Sequence, residues 1–288
     1  GAAAVVKTMA VITTTFSLNR TKWTQRDFFL LKLIAAFYIM TWILYYPFAP
    51  VSYFGYYAAY FDNPNLRGMF AFNSLLPFVI LPGKPRIFAF IFGFLALIVI
   101  FLSGSRTIYL QTMIFLVCYY FFRYIWKHKQ PIKSQISRWT KDKFTFKFLF
   151  LLTVFFVFMF SLLYPLLGDT AIGASIDEIS RSLFNKNFFS GRNIIWQKVF
   201  IAVEGSPLVG RGLTAEMSDF FDMRLSAHSL YMQIILQTGA LGLLVIVNML
   251  IRLFNQLYQV RGYYSVSAIA LLISVIFRET FEISLTQN

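Results

Sequence analysis

The sequence predicts an all-α polytopic membrane protein. Of its 288 residues, 58% are hydrophobic and only 13% are charged, whereas roughly 25% are charged in soluble domains. The apolar residues form long runs, and the charged residues are concentrated in a few segments between these runs. Because a bilayer core requires about 20 apolar residues per helix, such runs are typical of transmembrane helices.

Seven runs fit a transmembrane helix in length and composition. The second is the weakest, since Asn73, Pro77 and Pro82 interrupt it. The predicted helices lie at residues 28–46, 66–82, 86–103, 106–124, 147–167, 229–251 and 263–282.

Basic residues predict the orientation of these helices. Segment 123–147 contains eight Lys and Arg residues and one acid, Asp142, and short basic loops are retained in the cytoplasm. Successive transmembrane helices cross the membrane in opposite directions, so the location of this loop predicts the side of every other segment. The chain then divides into four regions. These are a cytoplasmic segment at 1–27, helices one to five at 28–167 with the basic cytoplasmic loop 123–147, an extracytoplasmic catalytic loop at 168–227, and helices six and seven at 228–288. Most of the net charge of +14 is thereby explained by topology, so we expect no nucleic-acid partner.

The first 18 residues are small and apolar and contain Met9, but they lack the basic start and cleavage site of a signal peptide. They fit either a cloning remnant ahead of Met9 or the end of a truncated helix.

The outward loop contains the residues best suited to chemistry. A helix is predicted to begin at Ser190-Gly191-Arg192, with Ser190 as its cap, and to end at Gly205-Ser206-Pro207. His228 follows at the mouth of the sixth span, and it is the one histidine on the predicted outer face because His128 lies in the basic loop. Imidazole can act as a general base near neutral pH. The alternative is an interfacial histidine that only bonds a loop carbonyl.

Arginines accompany this histidine along the outer face. They either snorkel to lipid headgroups or grip a diphosphate bidentately. Arg106 lies in Ser103-Gly104-Ser105-Arg106, between two closely spaced spans, where an unpaired arginine is costly. In the last span, Arg278 and Glu282 are spaced to neutralise each other; a second acid or base near the site is the alternative. The outer arginines are Arg106, Arg181, Arg192, Arg211 and Arg224.

Metal and nucleotide chemistry find no support in the sequence. The chain contains one cysteine, Cys118, and two histidines, too few for a Cys- or His-rich metal cluster. It contains no Walker-type loop, no HExxH motif and no acidic triad. We therefore expect no metal and no cofactor.

Four short sequence motifs follow one another along the chain. They are Asp62-Asn63-Pro64-Asn65; Ser105-Arg106 with Leu110; Ser190-Gly191-Arg192 with Trp196, Pro207-Leu208 and Gly210-x-Gly212; and His228-Ser229 followed after nine residues by Gly239-Ala240-Leu241-Gly242. Together they resemble the O-antigen ligase and O-antigen polymerase family of membrane glycosyltransferases. The resemblance covers about residues 60–285 and implies a fold like the C-terminal part of a GT-C-like enzyme. Family members usually have more spans, so we expect this chain to be a fragment or a shortened form.

The resemblance implies a metal-independent enzyme in the bacterial cytoplasmic (inner) membrane. Such an enzyme transfers a glycan from undecaprenyl diphosphate to an acceptor hydroxyl on the extracytoplasmic side. His228, Arg192 and Arg211 are then expected to be catalytic, and Arg106, Arg181, Ser105 and Trp196 to bind substrate.

Polymerisation of lipid-linked repeat units into surface polysaccharide is the favoured activity. Ligation of the glycan to lipid A core or another surface acceptor is the first alternative, and non-enzymatic transport of lipid-linked oligosaccharide is the second. A subunit that assists a chain-length regulator is a further interpretation, and that regulator is a candidate partner of the enzyme as well.

Overall fold

The computed structural model describes residues 24–45, 64–81, 85–127, 135–184, 187–221, 227–259 and 263–281. The regular structure within these ranges is helical, with nine α-helices, one short 3₁₀ helix at Met217–Asp219 and no strand. In chain order the helices are α1 Gln25–Tyr45, α2 Pro64–Ile80, α3 Arg86–Leu102, α4 Arg106–Lys127, α5 Gln135–Leu167, α6 Ala171–Phe184, α7 Arg192–Val203, α8 Leu230–Gln259 and α9 Tyr263–Arg278.

Within the described residues, each predicted apolar run contains a helix, and these helices are α1 to α5, α8 and α9. Among the described residues, three segments are long and apolar enough to cross a membrane: Gln25–Leu44, Lys147–Leu167 and Leu230–Gln259. Shorter apolar helices occupy Arg67–Ile80, Arg86–Leu102 and Ser265–Arg278. The protein is therefore a helical membrane protein, and its seven-span topology stays a prediction.

The chain divides into two compact units, residues 1–105 and 106–288. In the first unit, α1, α2 and α3 pack against one another, and Phe78 of α2 contacts Phe88 and Phe92 of α3. The Ser105 hydroxyl donates to the side-chain oxygen of Asn65, so it ties the end of this unit to the first turn of α2.

The second unit contains α4 to α9. α9 packs against α4, α5 and α8, and α7 packs against α5 and α8. The side of α7 that faces its neighbours carries Ile195, Trp196, Val199, Ala202 and Val203, all of which are buried. Helix α7 is therefore packed against the bundle through this side.

Two local features of the loop between α5 and α8 differ from the sequence prediction. Helix α6 was not predicted, although Ile172, Ile176 and Ile179 recur at helical spacing. Ser190 does not cap α7: the N-cap is Gly191, with a φ of 78° and no side-chain hydrogen bond. The Ser190 hydroxyl instead donates to the carbonyl of Asn187 at 2.9 Å.

Helix α8 is interrupted at Gly239, whose φ of 63° and ψ of −157° are not helical. In an unbroken helix the amides of Ala240 and Leu241 would bond to the carbonyls of Leu236 and Gln237. Here all four groups have partners in the loop after α7. Ala240 and Leu241 donate to the carbonyls of Pro207 and Leu208 at 2.9 and 3.1 Å, and Leu236 and Gln237 accept from the amides of Arg211 and Gly212 at 2.8 and 3.0 Å.

Two glycines permit this close approach of loop and helix. A Cβ on Gly239 would lie 2.5 Å from the carbonyl carbon of Leu208, and a Cβ on Gly210 would lie 2.6 Å from the backbone of Gln237 and Thr238. Both distances are too short for real atoms. Gly210 and Gly239, one from each glycine motif, are therefore explained by packing between backbones.

Replacing Gly210 by alanine should destabilise the protein more than replacing Gly212, which lies in the same loop. Both residues have positive φ, 69° and 110°, but a Cβ on Gly212 meets nothing within 4 Å. We expect Gly210→Ala to cost about 1–3 kcal/mol more, because the clash forces the loop away from α8. Thermal unfolding of the two variants in detergent measures the difference. Backbone strain alone would make the Gly212 variant at least as unstable, and that result would contradict the proposed contact.

Candidate functional site

Arg106 connects the start of α4 to the loop before α7. Its guanidinium donates to the hydroxyl of Ser180 on α6 at 3.2 Å, to the carbonyl of Asn187 at 3.1 Å and to the hydroxyl of Ser190 at 3.0 Å. These contacts span more than 70 positions in the sequence, so no local pattern predicts them. Arg106 therefore fixes the position of the segment that leads into Arg192.

Tyr164, near the end of α5, also contacts this segment. Its hydroxyl lies 2.9 Å from the carbonyl of Phe189, and its ring packs against that of Trp196 with centroids 4.7 Å apart. The hydroxyl is also within electrostatic range of Arg106 and Arg192. The sequence analysis did not identify Tyr164, because a tyrosine in an apolar run is usually a packing residue.

Asp177 of α6 orders the loop further. One carboxylate oxygen accepts from the amide of Phe188 at 2.6 Å, and the other pairs with Arg181 at 2.8 Å. The Arg181 side chain is 62% exposed. Of the predicted arginines, Arg181 thus faces solvent and pairs with an acid on its own helix.

His228 lies between two anchored neighbours. The indole N–H of the fully buried Trp196 donates to the carbonyl of Ala227 at 2.9 Å, and the amide of Leu230 donates to the carbonyl of Glu279 at 2.9 Å. Trp196 therefore holds the histidine segment with the edge of its ring and has no exposed face in this structure.

Two non-glycine residues of the described chain have positive φ, Ser190 at 52° and His228 at 49°. This conformation costs about 1–3 kcal/mol for a non-glycine residue and is concentrated at functional sites, where the surroundings enforce it. His228 belongs to the predicted site, and Ser190 was predicted as the cap of the helix that begins at Arg192. The fold therefore maintains strain at His228 and at Ser190, two residues before Arg192.

His228 and Arg192 interact electrostatically. Burial of the imidazole lowers the pKa of His228 below its usual 6.5, and the positive charge of Arg192 lowers it further. The lowered pKa favours the neutral imidazole, the form that can accept a proton.

Three helix N-termini meet at this cluster. Arg106 is the first residue of α4, Arg192 is the first residue of α7, and His228 lies two residues before α8 begins. Arg106 donates to Ser190, two residues before Arg192, and Arg192 lies close enough to His228 to lower the pKa of its imidazole. Helix N-termini carry partial positive charge and free amides. The charges of this arrangement are complementary to an anion.

Arg211 is not part of the cluster. Its side chain donates to the carbonyl of Ala202, at the opposite end of α7 from Arg192, and its guanidinium lies over the Phe220 ring. Ala202 is ten residues after Arg192 in α7, which is about 15 Å along the helix. Arg224 and His128 lie outside the described residues.

A buried ion pair involves Glu279, the residue whose carbonyl accepts from the amide of Leu230. The guanidinium of Arg278 contacts the Glu279 carboxylate at 3.1 Å, and the two side chains are 8% and 3% exposed. The sequence analysis paired Arg278 with Glu282 on the assumption that the helix continued. Helix α9 ends at Arg278, the arginine contacts its neighbour instead, and Glu282 lies outside the described residues.

Ser105, the residue before Arg106, is 2% exposed and donates to Asn65 as described above. In the described part of the chain, no group of three or more His, Cys, Asp or Glu side chains is arranged to hold a metal ion.

Comparison with known proteins gives one match. A protein-family model described as O-antigen ligase matches residues 91–247, which is more than half of the chain and includes Arg106, Arg192 and His228. No curated protein and no solved structure matches the chain.

Proposed function

The chain belongs to the O-antigen ligase family, and from this premise we propose that it polymerises lipid-linked oligosaccharide repeat units into surface polysaccharide. The family assignment supports a role in surface polysaccharide biosynthesis and a membrane glycosyltransferase-like enzyme. The donor we propose is a glycan on undecaprenyl diphosphate, used on the outer face of the bacterial cytoplasmic membrane. The observation that carries the proposal is the cluster of Arg106, Arg192 and His228 at three helix N-termini.

In the proposed reaction, an acceptor hydroxyl attacks the anomeric carbon of the donor glycan. His228 takes the proton of that hydroxyl as the new carbon–oxygen bond forms. The bond between the anomeric carbon and the diphosphate oxygen breaks, and the diphosphate departs with both electrons of that bond. Arg106, Arg192 and the amides at the starts of α4 and α7 stabilise the charge on the leaving group. No metal ion is needed for this charge in the proposal, because two guanidinium groups supply it.

The other predicted site residues receive supporting roles. Trp196 positions the histidine through Ala227, and Ser105 bonds to Asn65 within the first unit. Arg181 acts through Asp177 on the loop before Ser190, and Arg211 secures the end of α7. These roles follow from the partners of each side chain and leave the chemistry to Arg106, Arg192 and His228.

Ligase activity is the second candidate, and the description of the matched family favours it. The donor and the three residues would be the same, and only the acceptor would differ. A ligase transfers the glycan to lipid A core or another surface acceptor, whereas a polymerase uses a second lipid-linked repeat unit.

Incubation of the purified protein in lipid vesicles with undecaprenyl diphosphate-linked repeat units should yield a ladder of products. Addition of lipid A core acceptor should leave the ladder unchanged. A single transfer that requires the acceptor would identify a ligase instead, and the absence of product with either acceptor would contradict both activities of this chain.

His228→Asn should reduce transfer by about 100-fold or more, the usual contribution of a general base. Asparagine tolerates positive φ better than most residues, so the fold should be kept and the thermal stability should be close to that of the parent. Initial rates of product formation measure the effect. Unchanged transfer by a folded His228→Asn protein would rule out the histidine as base.

The pH profile of transfer should reflect the lowered pKa of His228. Since only the neutral imidazole accepts a proton, kcat/KM falls as the pH drops through this pKa, which burial and Arg192 hold below 6.5. Arg192→Gln removes a nearby cation, so the acid limb should move to higher pH. Arg181→Gln, which alters an exposed arginine paired with Asp177, is the matched control and should leave the limb in place. If the low-pH fall of kcat/KM stays at the same pH in Arg192→Gln, Arg192 does not lower the pKa of His228 and the proposed interaction is contradicted.

A further inference from the structure

The loop between α7 and α8 exposes a cluster of apolar side chains. Leu208, Val209 and Leu213 are 63%, 62% and 77% exposed. A protein in water rarely displays several large apolar residues together. We propose that this loop, Pro207–Leu213, is inserted into the hydrocarbon region of the bilayer and contacts lipid acyl chains.

The depth of the loop follows from the length of α8. The helix has 30 residues, and a bilayer core takes about 20 of them. If about 20 of the 30 residues cross the core, at most about ten residues of α8 can lie before the crossing segment. Leu241 is the twelfth residue of the helix, so the crossing segment includes it wherever it begins. The Leu241 amide donates to the carbonyl of Leu208 at 3.1 Å. The backbone of Leu208 therefore lies at the depth of the hydrocarbon core.

The exposed loop residues continue the lipid-facing surface of α8. Leu241, Leu244 and Val245 are 52%, 64% and 58% exposed on a helix long and apolar enough to span the membrane. Hydrogen bonds from Ala240 and Leu241 attach the loop directly to this part of the helix. Acyl chains that cover α8 therefore have a continuous surface to follow onto Leu208 and Val209.

Backbone pairing makes such a position tolerable. Irregular backbone inside a bilayer must have its polar groups satisfied by the protein. The amides of Gly210, Arg211 and Gly212 bond to Ser206, Leu236 and Gln237. The carbonyl of Gly210 accepts from the Ser206 hydroxyl, and those of Pro207 and Leu208 accept from α8. The opened helix and Ser206 thus supply partners for these six groups.

Arg211 fits this environment as well. Its guanidinium bonds to the Ala202 carbonyl and lies over the Phe220 ring, 5.8 Å from the ring centroid. An arginine at the edge of the hydrocarbon region is tolerated when its charge is hydrogen-bonded and directed to the interface.

Spin labels test the insertion, and the single cysteine of the chain makes the labelling specific. In a Cys118→Ser background, one nitroxide is placed at Val209→Cys or Leu213→Cys. Two labels serve as references. Leu244→Cys, on the exposed face of α8, represents the lipid environment, and Ser218→Cys, an exposed position of the 3₁₀ helix, represents water. The protein is reconstituted in phosphatidylcholine vesicles. Collisions of each label with oxygen, which concentrates in lipid, and with a water-soluble nickel chelate are then measured.

We expect the labels at 209 and 213 to resemble the label at 244, with high access to oxygen and low access to nickel. Access to nickel equal to that of position 218 would show that the loop lies in water and would overturn the proposal. Low access to both reagents would show that the loop is covered by protein, such as a second copy, and would overturn it equally. The measurement requires no enzymatic activity, so it is independent of the proposed reaction.

Discussion

The break in α8 at Gly239 is the constraint on which the second unit of the structure depends. A helix that opens inside a membrane must find new partners for its freed amides and carbonyls. The loop Pro207–Gly212 supplies them through four backbone hydrogen bonds. Because this loop follows α7 directly, the break also fixes the far end of α7 against α8. The near end of α7, with Arg192, is thereby held beside the residues that precede α8.

The same arrangement explains why a strained histidine is stable where it lies. Ala227 is held by the Trp196 indole, and Leu230 is held by the carbonyl of Glu279. Both anchors belong to well-packed elements, since Trp196 is in the core of the unit and Glu279 is buried with Arg278. His228 between them therefore keeps a positive φ and a lowered pKa. Preorganisation of this kind is what a site needs when charge develops on a leaving group.

The sequence predicted the parts of this structure that follow from local patterns. Long apolar runs predicted the helices because lipid and core packing both select them. The Arg192 helix was predicted from its start signal at Ser190-Gly191-Arg192 and its stop signal at Gly205-Ser206-Pro207. Contacts distant in sequence could not be predicted. The bonds of Arg106 to Ser180 and Ser190, the role of Tyr164 and the separation of Arg211 from Arg192 all depend on how the helices pack. The glycine motifs were recognised, but their reason, a helix opened by a loop, is visible only in three dimensions.

Nuclear magnetic resonance of the histidine tests the central claim, that Arg106, Arg192 and His228 form one anion-binding site with a neutral base. His128→Gln leaves His228 as the one histidine of the chain, so its ¹⁵N signals can be titrated without overlap. We predict a pKa below 6.5 in the free protein and a higher pKa with inorganic diphosphate, because a nearby anion stabilises imidazolium. The response should be lost in the Arg106→Gln, Arg192→Gln double variant. A pKa at or above 6.5 that diphosphate does not change would contradict the account.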